Sequence, residues 1–101
     1  MKIDIYTHIF PEKFYKKWLQ VAPSLADIGK RMTSVRPVFD LNERFRMMDQ
    51  ADDYRQIISL PNPPLETITT PEVGAELAGV ANDTMAELVN KHPNRFPGFV
   101  A

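Results

Sequence analysis

The sequence predicts an α/β fold in which parallel strands alternate with crossover helices. Three observations carry that expectation. A strand pattern opens the chain over residues 2–8, and a more apolar one follows over 54–60. Helical periodicity fills the intervals, most clearly over 70–91. A third strand begins within 95–101. The order β-α-loop-α-β-loop-α-β implies one parallel sheet with right-handed crossovers.

Each element has its own local reason. In "KIDIYTH", Ile3, Ile5 and Thr7 alternate with Asp4, Tyr6 and His8, so a regular strand places the last three on one face. Pro11 suits the first turn of a helix, where its missing N–H costs nothing. Phe14, Trp18 and Val21 then recur at spacings of four and three, and Ala22-Pro23-Ser24 ends the run. Phe14 and Trp18 read as core or subunit-contact residues. Residues 23–39 have weak periodicity and read as a long loop, with room for a helical turn near "SLADIGKRM".

Asp40 is placed to cap the next helix, and Glu43 follows at capping-box spacing. Leu41, Phe45, Met48 and Ala51 share a face, with Arg44 and Arg46 off that stripe. "YRQIISL" is the second strand; Ile57, Ile58 and Leu60 mark it as largely buried, as parallel strands are. "PNPPLETITTPE" can be neither sheet interior nor mid-helix. Thr70-Pro71-Glu72 opens a long helix to Lys91, with a stripe of Val73, Leu77, Ala81, Met85 and Leu88. Lys91 and His92 sit at the negative end of its dipole, with Pro93 just beyond, so His92 reads as a C-terminal cap.

Composition narrows the function classes. The chain has 101 residues, 12 Lys and Arg against 13 Asp and Glu, and no cysteine. That balance leaves no electrostatic footprint for nucleic acid or an anionic membrane. Without cysteine there is no disulfide framework and no thiolate metal site. No apolar run approaches the ~20 residues that cross a bilayer, and "MKIDIY" lacks the apolar segment of a signal peptide. The expectation is a cytoplasmic protein with neither nucleic-acid nor membrane partners. Four scattered glycines make no phosphate loop.

One stretch carries a motif. Ile3-Asp4-Ile5-Tyr6-Thr7-His8-Ile9-Phe10-Pro11 follows a strand signature I-D-x-H-x-H-x-x-P, with Tyr6 at the first histidine position. Met48-Asp49 before "YRQIISL", then "VANDTMAELVNKHPNRF", then "PGFVA", continue the pattern in order. By these segments the chain resembles the N-terminal part of the metal-dependent amidohydrolase superfamily. Within it, the chain is most similar to the branch of aminocarboxymuconate-semialdehyde decarboxylases and related aromatic-acid decarboxylases.

That resemblance implies a (β/α)8 TIM barrel, which takes ~250 residues and eight strands. Residues 1–101 would supply the first three βα units of this partial metal-dependent hydrolase-like barrel. The implied reaction is hydrolysis or non-oxidative decarboxylation of a small carboxylated, often aromatic, substrate. The implied cofactor is a divalent metal, zinc, with His8 as a ligand at the mouth of the barrel. A phenol of pKa near 10 is a poor zinc ligand. Tyr6 is therefore assigned a catalytic contact to a metal-bound water or substrate carboxylate, or else packing beside the site.

Asp4 either orients His8 or a neighbouring strand, or pairs with a cation. Asn62 is the candidate substrate contact beyond the second strand. Ser59 lies beside it, and turn or strand-end chemistry competes as the reading for both. Asn82 reads as structural. One imidazole falls short of the three protein ligands of a catalytic zinc. The chain alone is therefore expected to bind metal weakly or not at all, and to be inactive. Its open strand edges invite a homo-oligomer or the remainder of the barrel. The alternative reading is a non-catalytic pseudoenzyme or association module with the same partial fold.

Overall fold

The computed structural model describes residues 1–25, 30–31, 34–61 and 69–101. Its strands are β1 (Lys2–His8), β2 (Tyr54–Ser59) and β3 (Gly98–Phe99), and its helices are α1 (Glu12–Val21), α2 (Arg36–Phe39), α3 (Leu41–Met48) and α4 (Pro71–Lys91). A 3-10 turn covers Pro23–Leu25. The strands form one parallel sheet in the order β1-β2-β3. The α/β expectation therefore holds for the described residues. Two departures are local. Within the expected loop of 23–39, Arg36–Phe39 is a helical turn started by Pro37 near its N-terminus. The third strand spans two residues of the expected seven. The expected turn near "SLADIGKRM" falls largely outside the described residues.

Helix starts follow their capping chemistry. Asp40 accepts from the backbone N–H of Asn42 at 3.0 Å and of Glu43 at 3.3 Å. The return bond of a capping box is replaced: Asp40 N donates to Arg36 O, and Glu43 turns to Arg46 instead. Thr70 caps α4 through Val73 N, and Pro71 occupies the first turn. Pro11 stands one place earlier than expected, as the residue flanking α1.

The helices gather on one face of the sheet. Ile58 projects there, fully buried, into a core of Phe10, Phe14, Trp18, Leu77 and Met85. Burying side chains of this size stabilises by about 1.5–3 kcal/mol each. Phe96 joins that core, and Phe45 lies against its edge. Arg95 lies 4.3 Å over the Phe45 ring and donates to Asp49 at 2.8 Å. "MD" and "NRF", distant in sequence, thus meet at the foot of α3. Ala51 does not share the α3 stripe, because the helix ends at Met48 and Ala51 is exposed.

Candidate active site at the end of the first strand

The register of β1 decides which side chains meet. Asp4 lies beside Gln56 and Thr7 beside Ile58. Three steps along β1 match two along β2, so β1 carries one extra residue. Ile57 alone opposes both Ile5 and Tyr6. Paired residues of parallel strands share a face, so Asp4 and Thr7 lie with Gln56 and Ile58 on the helix-covered side. Ile3, Ile5, Tyr6 and His8 fall on the other side, which is helix-free among the described residues. This corrects the alternation read from the sequence: Asp4 does not share a face with Tyr6 and His8. The extra residue is a β-bulge, a device that re-aims side chains at strand ends.

Tyr6 and His8 do come together. Their rings sit 5.4 Å apart, edge to face, and Tyr6 is 83% exposed. His8 is half-buried and lies beside Ser59 in register. His8 Nδ1 is 3.2 Å from Ser59 Oγ. The direction of that bond follows from counting protons. The Ser59 hydroxyl has one hydrogen and donates it to Thr7 O at 2.9 Å. It therefore accepts from His8, whose Nδ1 carries the proton. In the neutral ring Nε2 then holds a free lone pair, the form that ligates a metal.

Asp4 works on the other face. Its Oδ1 accepts from Tyr6 N at 3.0 Å, which steadies the bulge. Its Oδ2 accepts from Tyr54 OH at 2.9 Å. Of the roles open to Asp4, the structure shows orientation of the neighbouring strand. Tyr54 OH accepts from Gln56 Nε2 at 3.2 Å, and Gln56 Oε1 accepts from Arg44 Nη1 at 2.7 Å. A directed chain of hydrogen bonds thus runs from the Arg44 cation to the Asp4 carboxylate. Burial pushes the Tyr54 phenol above its usual value, with the Asp4 bond adding to the effect.

Arg44 is the residue that the helical stripe misplaced. It is only 5% exposed, and burial lowers its pKa to about 10, which still leaves it charged at neutral pH. A charged residue outside the apolar stripe reads as solvent-facing, and no local pattern in the sequence marks it otherwise. Ser59 was legible as a strand-end residue, but its bond to His8 depends on a register that only the paired strands define.

Asn62 lies outside the described residues. Asn82 lines a cleft of about 260 Å³ with Ser59, Leu60, Ala81 and Val100. His92 caps α4 as expected, its N–H on Leu88 O, and its ring packs on Phe45. Among the described residues, no three His, Cys, Asp or Glu side chains group as a metal site. No helix among them is long and apolar enough to cross a membrane.

No family model matches the chain. It is 35% identical over 86 residues to the gamma-resorcylate decarboxylase of Polaromonas sp. (strain JS666 / ATCC BAA-500), a match covering 85% of this chain and 23% of that relative. It is 38% identical over 58 residues to the gamma-resorcylate decarboxylase of Rhodococcus jostii (strain RHA1), covering 57% of this chain and 18% of the relative. The chain thus spans less than a quarter of either protein, and what it is similar to is a stretch of two decarboxylases.

Proposed function

We propose that the chain is the N-terminal portion of a metal-dependent, amidohydrolase-type decarboxylase acting on a small aromatic carboxylate of the γ-resorcylate kind. The observation that carries this reading is the His8 imidazole, half-buried at the end of β1 with Nδ1 held by Ser59 and Nε2 free to ligate. The two relatives supply the reaction type. The fuller fold would be a (β/α)8 barrel, and the metal would be zinc, with His8 as one of its ligands.

When bound, the metal would supply charge to hold the oxygens of the substrate. This chain's own residues would do the rest locally. His8 Nε2 would hold the ion. The Tyr6 phenol, beside that ring, would donate to the substrate carboxylate or to a bound water. Asn62 is retained as a candidate contact to substrate. With one imidazole in place of three protein ligands, the chain alone would bind zinc weakly and turn over nothing.

The test restores the motif's first histidine. Tyr6→His is expected to tighten zinc binding by the full chain about tenfold or more in calorimetric titration, since two imidazoles on one strand end can share an ion. His8→Ala in that background should remove the gain. Zinc affinity unmoved by Tyr6→His would contradict a shared site.

A second reading, a non-catalytic association module, is favoured by one feature. Ile3, Ile5 and Tyr6 are exposed together on the helix-free face. Its test is the state of association of the chain in solution.

A further inference from the structure

His8 is the last residue of β1, so its imidazole is only as well placed as the peptide that carries it. Two backbone bonds hold the residues that follow: Ile9 N donates to Ser59 O at 2.8 Å, and Phe10 N donates to Val38 O at 2.9 Å. The carbonyl of His8 itself is taken by Arg44, through Nη2. The same guanidinium donates from Nε to Pro37 O at 2.8 Å and from Nη1 to Gln56 Oε1 at 2.7 Å. One planar fork therefore ties together the end of β1, the turn of α2 and the middle of β2.

Among the described residues these three acceptors are neutral, and no carboxylate pairs with Arg44 directly. A buried cation without an adjacent counter-charge is costly. A hydrophobic side chain of similar length would fill the same space without that cost. The guanidinium is accounted for by its geometry: three donors at fixed angles to three acceptors on three segments. A lysine ammonium, a point donor on a flexible stem, cannot span them.

We infer that Arg44 is a positioning residue for His8. It fixes the terminal peptide of β1 so that the imidazole keeps Nδ1 on Ser59 and Nε2 free. The inference rests on the proposed function only for the use to which His8 is put. The placement itself is independent of any metal.

The test is nitrogen NMR of the full, metal-free chain. In Arg44→Met the His8 ring signals should move toward those of a free imidazole averaging between tautomers. His92, the other histidine, should keep its wild-type signals. Arg44→Lys, which retains the charge, should show the same change at His8. A residue that served folding alone would leave the His8 signals unmoved in any variant that still melts cooperatively, and that outcome overturns the proposal.

Should neither variant fold, the wild-type chain decides. A coupling across the hydrogen bond between Arg44 Nη2 and the His8 carbonyl carbon supports the assignment, and its absence removes it. In the Tyr6→His background, Arg44→Lys should weaken zinc binding by about 10–100-fold, the usual cost of losing a group that orients a ligand. Unchanged affinity there, in a background where His8→Ala does lower it, counts against the proposal. Failure of the metal reading looks different: His8→Ala leaves zinc affinity as it was, while the His8 ring signals still respond to Arg44.

Discussion

Tyr54 concentrates the electrostatics beneath the candidate site. Its hydroxyl donates to Asp4 Oδ2 and accepts from Gln56, which in turn accepts from Arg44. Each bond in this chain points from cation to anion, so each polarises the next. The phenol is pushed above its ordinary range, first by burial and then by its bond to the carboxylate. The folded protein therefore keeps this proton at a pH where the unfolded chain has lost it. By linkage, the stabilisation is complete below the unfolded value and is lost as pH rises through the raised folded one. In an ultraviolet titration, Tyr54→Phe should remove a component that ionises above the ordinary phenol range. Near neutral pH the same substitution should cost about 1 kcal/mol, the worth of a hydrogen bond. Loss of an ordinarily placed phenol instead would show that the chain of bonds does not form in solution.

The elements show which features of a sequence survive folding. The α4 stripe was legible because its spacing repeats over about four turns, and Leu77, Ala81 and Met85 are indeed its buried residues. The α3 cap was legible because its chemistry is local. Asp40 is held below the usual carboxylate range, first by its bond from Glu43 N and then by Arg36. A depressed carboxylate contributes stability that is present above its unfolded pKa and is lost as pH falls through the folded one. Asparagine caps as well as aspartate. Asp40→Asn should therefore leave the neutral-pH melting midpoint nearly unchanged while flattening its fall in acid, whereas Asp40→Ala should lower the midpoint across the range. Equal acid limbs in wild type and Asp40→Asn would assign the acid sensitivity elsewhere. The β1 bulge was not legible. Nothing within "KIDIYTH" breaks its alternation, and the extra residue appears only when β1 is laid against β2. Arg44 escaped for the same reason: the carbonyls it serves belong to other segments.

At the scale of the whole molecule, the described residues form a sheet covered by helices on one side. Its dimensions, 42 × 24 × 19 Å with a radius of gyration of 13.8 Å, describe an elongated body rather than a sphere. A compact chain of this length would measure about 13 Å. The order of strands was within reach of the sequence, because alternating elements and handed crossovers leave few arrangements. The covering of the second face was not, since that depends on surfaces beyond these elements. On that face the bulge sets Ile5 beside Tyr6, 75% and 83% exposed, with Ile3 also in water. Two consequences oppose each other. A bulge in an outer strand discourages edge-to-edge pairing. The same bulge adds apolar surface to the face, and a net charge of −1 sets up little repulsion between copies. Burial of apolar area is worth about 25 cal/mol per Å², so the face outweighs the edge as a route to self-association. Sedimentation of the full chain should show mass rising with concentration. Ile5→Lys should hold it monomeric, and its melting midpoint should stay close to wild type because Ile5 contributes nothing to the core. A wild-type chain that remains a cooperatively folding monomer at every concentration would show that this face tolerates water as it stands, and the association reading would fall with it.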